Sequence, residues 1–289
     1  MKNMLFDEDH RLRNGWWVLV FLAFFVASGV GFRFLIPAFK RLHLGRGLMN
    51  AIAPGLLALI ATWACTLLRK EPLASVGLHL NRRWAKEFGW GILFGCGVML
   101  LGSALLWSVG GVRWELDPAG SLRGLGLGLL LWLSVAFFEE TLFRGFIFQR
   151  LLDGLGVWPT QIILALLFGL VHWGNPGMHG ATKFWATLDI ALAAIFLGLA
   201  YLRTRSLALP IGIHLGWNWC QGHLMGFGVS GLKDHPGFLR PVFLGRPEWM
   251  SGGTFGLEAS CFGVLAVLVG IGLLWAPQWL HGRKAPASL

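Results

Sequence analysis

The chain has 289 residues, 55% of them hydrophobic and 13% charged, with a formal net charge of +10 and a mean hydropathy of +0.63. Soluble domains carry charge on about a quarter of their residues, so this composition excludes an ordinary soluble globular fold, and its long apolar runs exclude the short alternating strands of a β-barrel. The basic residues fall mostly in short segments between apolar runs, a pattern of membrane topology and anionic-lipid contact, so no nucleic-acid partner is expected.

The N-terminal MKNMLFDEDHRLRNG is mixed in sign and shows no cleavable signal peptide, so the first apolar run is expected to stay in the mature protein. A crossing needs about 20 residues at about 1.5 Å rise each. Eight spans are predicted on that basis, at 15–38, 49–68, 88–110, 124–152, 158–174, 184–202, 206–227 and 255–276. The expected fold class is therefore all-α, a polytopic membrane protein of about eight transmembrane helices forming one membrane domain over 1–289. The longest gaps are 69–87 and 228–254, neither large enough for a soluble domain, and no internal repeat is visible. Trp16, Trp17, Trp84, Trp158, Trp173 and Trp275 sit at span ends, where an interfacial belt places them. Cys65, Cys96, Cys220 and Cys261 fall in or beside apolar runs without CxxC spacing, and read as small buried hydrophobes. Eight spans put both termini on one side, which then holds 14 of the 24 Lys and Arg residues. That surplus predicts cytoplasmic termini in a cytoplasmic membrane that reads as bacterial.

Ionisable residues inside spans mark function by default. In the fourth span, AFFEETLFRGF carries Glu139 and Glu140 among apolar residues. Glu140 and Arg144 are spaced i, i+4 and can pair on one helix face, which offsets much of the penalty of burying either charge. Glu139 projects about 100° round the helix and lacks that partner. It is free to serve as a general base or acid. FGLVHW closes the fifth span with His172, four residues after Phe168; IGIHLGWNW puts His214 and Asn218 on one stripe of the seventh. Each of these also has a plainer reading, as a hydrogen-bonded core group or as glue between helices. Asp189, in the sixth span, has no evident partner in its own segment. DGLGVWP, at 153–159, reads as a helix stop, a tight turn and a new start with Pro159 in its first turn. Glu140 and His172 are each 14 residues from that turn, about 21 Å along their helices, so a hairpin brings them level. A cavity between the fourth, fifth and seventh helices would then hold the means to activate water and to stabilise an oxyanion. Glu139, His172 and His214 could equally ligate zinc with a water position left open, although HExxH is absent.

EETLFR, FGLVH and HLGWN, in that order, resemble the motifs EExxxR, FxxxH and HxxxN/D of the CPBP intramembrane proteases, the CAAX protease and bacteriocin-processing group also called Abi or Rce1-like. The resemblance covers roughly 124–227, which it marks as the catalytic core; LALPIGIHLGWNW is similar to the wording around the third motif, and the early RLRNGWW is weakly similar to N-terminal segments of bacterial members. It implies a hydrolase, an endopeptidase cutting a peptide bond near the membrane surface. By the same resemblance Glu139 and His172 activate the water, His214 and Asn218 stabilise the oxyanion, and Glu140 and Arg144 form a supporting pair. The family has been described both as metalloproteases and as glutamate-dependent proteases, so zinc and a metal-free mechanism are equally expected. The expected substrate is a peptide or membrane protein met in the bilayer; eukaryotic members cleave prenylated CAAX proteins, while a leader or bacteriocin-like peptide is as plausible here. Two other classes stay open: a non-catalytic membrane scaffold of the same fold, and a proton-coupled transporter using Glu139, His172 and Asp189 as a relay.

Overall fold

The structure, a computed structural model, describes residues 4–6, 9–41, 46–233 and 236–275. Lys2, Arg283 and Lys284, which enter the charge count, and Ala276 at the end of the eighth predicted span lie outside the described residues. Helices occupy all eight predicted segments. They are α1 (Asn14–Arg41), α2 (Arg46–Leu68), α3 (Arg82–Ser108), α4 (Leu122–Glu140) running through a wide π-type turn, Thr141–Gly145, into α5 (Phe146–Leu155), α6 (Val157–Val171), α7 (Gly180–Thr204), α8 (Ala208–Trp219) with a second wide turn, Cys220–Leu224, and, beyond a one-turn α9 (Glu248–Ser251), α10 (Cys261–Leu274). Among the described residues, five of these segments are long and apolar enough to cross a membrane, which makes this an integral membrane protein. The segments at 52–68 and 261–274 are shorter apolar helices. α8, of 12 residues, is shorter still, is buried nearly throughout and runs directly into the second wide turn.

Local chemistry sets the helix ends. Ser121 caps α4, its hydroxyl accepting from Gly124 N at 3.0 Å. The predicted stop at 153–159 is a single residue, Gly156, whose φ of +80° turns α5 directly into α6. The predicted eighth span begins too early. Residues 257–259 form a tight turn, and Ser260 caps α10 by accepting from Gly263 N, so the helix starts at Cys261. An all-α reading also misses one feature, an antiparallel ribbon of β1 (Val112–Leu116) and β2 (Leu239–Phe243) on the face opposite the start of α1. Its register sets Glu115 opposite Arg240, whose Nη2 donates to Glu115 Oε2 at 2.6 Å. That bond, with Arg113 close by, holds the exposed Glu115 carboxyl below the ordinary carboxylate range.

The core is organised around α8. It packs backbone to backbone on α3, because Gly91 and Gly95 of one face Gly212 and Gly216 of the other. A Cβ at Gly95 would overlap the Ile213 carbonyl, and one at Gly216 the Ile92 carbonyl. Each pair has GxxxG spacing, which lets helices approach closely in a membrane protein. This contact fixes the rotation of α8, and with it the direction in which the intervening His214 points.

Candidate active site

α4, α6, α7, α8 and the turn before α10 enclose a cavity of about 500 Å³, with walls that are mainly apolar and include Phe143, Phe168, Ile190 and Val267. Glu139, His172, His214 and Asn218 all line it. The four residues expected to do chemistry therefore converge from three separate helices, as the depth argument predicts. Glu140 and Arg144 are not in the lining; both are fully buried behind the wall.

Glu139 and Glu140 are the last regular residues of α4, and the wide turn begins directly after them. Such turns recur at functional sites. Adjacent positions diverge, so Glu140 points inward toward α8 while the Glu139 side chain keeps 18% exposure on the cavity side. Glu140 Oε1 accepts from Arg144 Nη1 at 3.1 Å, the i, i+4 pair expected, and also from His214 Nδ1 at 2.8 Å. Arg144 Nη2 donates to the Ala194 carbonyl on α7 at 3.1 Å, and its guanidinium lies 4.8 Å from the Phe168 ring centre on α6. One buried ion pair thus ties four helices together. Glu140 Oε2 is buried without a hydrogen-bond partner among the described residues.

His214 stands between two carboxylates. Nδ1 donates to Glu140, and Nε2 is 3.8 Å from Glu139 Oε2. His172 closes α6, and its Nδ1 lies 2.7 Å from the Phe168 carbonyl. A carbonyl only accepts, so that bond needs the proton on Nδ1, and in the neutral ring Nε2 of His172 then carries the lone pair. Asn218, one turn beyond His214, is buried in the same wall.

Asp189 also lines the cavity, and its neighbour there is Glu258, to which the sequence reading gave no role. A charge inside the predicted eighth span is itself the signal that could have found Glu258. Ser230 and Asn175, from loops flanking the cavity, complete this end. Asn175 Nδ2 donates to the Ser230 carbonyl at 2.9 Å, and Glu258 Oε2 accepts from Ser230 N and Oγ at 2.6 and 3.0 Å.

A zinc ion held by Glu139, His172 and His214 would need those groups at ligand distance from one point. Among the described residues, no three His, Cys, Asp or Glu side chains are placed to hold a metal ion, so no step is derived through one.

A family description, the type II CAAX prenyl endopeptidase Rce1-like, matches residues 121–220. This region is Rce1-like. The match contains all three motifs and all seven motif side chains, Glu139, Glu140, Arg144, Phe168, His172, His214 and Asn218. In the Rce1-like region every motif group either lines the cavity or braces a group that does. The match supports an intramembrane endopeptidase of the CAAX-processing kind, with a peptide or protein substrate met in the membrane. No curated protein and no solved structure matches the chain.

Proposed function

We propose that this protein hydrolyses a peptide bond with a water activated by Glu139 and His172, without a metal. The observation that carries the reading is the convergence of Glu139, His172, His214 and Asn218 on one cavity within the matched region. A water between the Glu139 carboxylate and His172 Nε2 would have two acceptors, which orients a lone pair at the scissile carbonyl. As the C–O bond forms, the water proton passes to Glu139. The developing oxyanion is met by the Asn218 amide and by Nε2–H of His214, which acts here as the imidazolium because its Nδ1–H is already given to Glu140. Collapse breaks the C–N bond, and Glu139 returns its proton to the leaving amine. Glu140 and Arg144 are positioning residues: Glu140 holds the His214 ring by Nδ1, and Arg144 holds Glu140. The apolar walls would accept an extended segment of a membrane peptide or protein, here placed in a bacterial cytoplasmic membrane.

The test is direct. Purified protein in liposomes is incubated with single-span peptides, and products are identified by mass spectrometry, with and without a tight chelator. Cleavage that persists in chelator is expected. Cleavage that is lost in chelator and restored by zinc would reject the metal-free step, and a correctly folded protein that cuts no peptide would point to the scaffold class.

A further inference from the structure

The mechanism leaves two acids unused. Asp189 is 1% exposed, yet it lines the cavity, and its Oδ1 has no hydrogen-bond partner among the described residues. Burying a carboxylate oxygen without a donor is unfavourable by kilocalories, so such an atom is expected to have a partner when the protein works. Glu258, 6% exposed, faces the same space. Its Oε2 is oriented by the two bonds from Ser230, and His172 and Trp217 are its neighbours, so the acid pair adjoins the reacting groups. A Cβ at Gly263 would stand 3.1 Å from Asp189 Oδ1 and overlap the Leu257 carbonyl, which places the Asp189 carboxylate against the turn that bears Glu258.

The surroundings say what the missing partner is. Four acids, Glu139, Glu140, Asp189 and Glu258, stand in or directly behind this cavity, and among the described residues the one permanent cation with them, Arg144, is spent on Glu140. The rest of the wall is largely apolar, which strengthens attraction for a positive group and suits an aliphatic stem. No third ligand stands with Asp189 and Glu258 to hold a metal ion among the described residues. An organic cation needs no third ligand: an ammonium or guanidinium can donate to both carboxylates at once.

We propose that Asp189 and Glu258 form a cation subsite of the catalytic cavity, which takes the side chain of a substrate Lys or Arg flanking the scissile bond. This rests on the endopeptidase reading above, and two measurements separate them. In the first, the Glu139→Gln variant of the full chain in detergent is titrated with butylguanidinium and with its neutral analogue butylurea, following thermal unfolding. Butylguanidinium is expected to raise the midpoint and butylurea not to. Adding Asp189→Asn or Glu258→Gln to that variant should weaken the guanidinium response about tenfold or more. Equal responses to the two probes, or an undiminished response in folded Asp189→Asn protein, overturn the subsite. In the second, a host peptide is made with Lys, Arg or norleucine at each position flanking the cut. The wild type should prefer Lys or Arg at one position by about tenfold or more in kcat/KM, and the ratio should fall to near one in Asp189→Asn. Cleavage with no preference for the cation rejects the subsite and leaves the endopeptidase reading standing. Selective guanidinium binding by a protein that cleaves nothing does the reverse.

Discussion

Glu139 and Glu140 are neighbours in the chain and meet opposite surroundings. Glu140 is fully buried, with Arg144 and His214 both donating to one of its oxygens, whereas Glu139 faces the cavity. Removing one partner of a buried ion pair leaves the other charge uncompensated. Arg144→Ala should therefore destabilise the fold by about 3–5 kcal/mol, read as an earlier transition in detergent-mediated unfolding. An unchanged midpoint would contradict a supporting role for the pair. His214→Ala tests the oxyanion assignment at the same scale. It should lower kcat by about a hundredfold, with a smaller effect on KM, in protein that still binds peptide. The Glu140–Arg144 pair was legible in the sequence because it is local, set by helix periodicity alone. The Glu140–His214 bond was not, because it joins residues 74 apart whose meeting depends on how α4 and α8 are turned.

Helix α8 is the element that aims the site. His214 lies between Gly212 and Gly216, which press on α3, so the helix cannot rotate or withdraw without opening that contact. A methyl at Gly95 meets backbone and must push the helices apart. Gly95→Ala should lower stability by about 1–3 kcal/mol and reduce cleavage with it. Gly97, two residues on, has nothing within 4 Å of its Cβ direction and should tolerate alanine without loss. Equal behaviour of the two variants, compared by thermal unfolding, would mean that the α3–α8 contact does not set the site. Both glycine spacings stand in the sequence, but spacing alone does not say which helices meet. The stretch 153–159 behaved differently: it was readable as a helix stop and turn, and the turn is there, at Gly156. The start of α10 was misread because 255–260 is apolar enough to pass for helix, and only the Ser260 cap and the turn before it separate the two.

At the scale of the molecule, the cavity lies toward the face opposite the start of α1. Its walls there are the end of α6, the loops bearing Asn175 and Ser230, and the turn bearing Glu258, and the β1–β2 ribbon stands on the same side. The ribbon escaped the sequence reading because its strands are five residues each, mixed in polarity and far apart in the chain, so neither forms a pattern without the other. Cytoplasmic termini, as the basic-residue surplus predicts, would make this face extracytoplasmic. Leu116, at the edge of the ribbon and 71% exposed, offers a test. Leu116→Cys in intact cells should react with a membrane-impermeant maleimide from outside; labelling only after permeabilisation would reverse the orientation and turn the site toward the cytoplasm. The central claim is that one glutamate does the chemistry while its neighbour holds the frame. The most direct measurement is the cleavage rate of one membrane peptide by reconstituted wild type, Glu139→Gln and His172→Ala, each normalised to folded protein. The account predicts a loss of about a hundredfold or more in both variants with unfolding midpoints unchanged, and cleavage by either variant at the wild-type rate would contradict it.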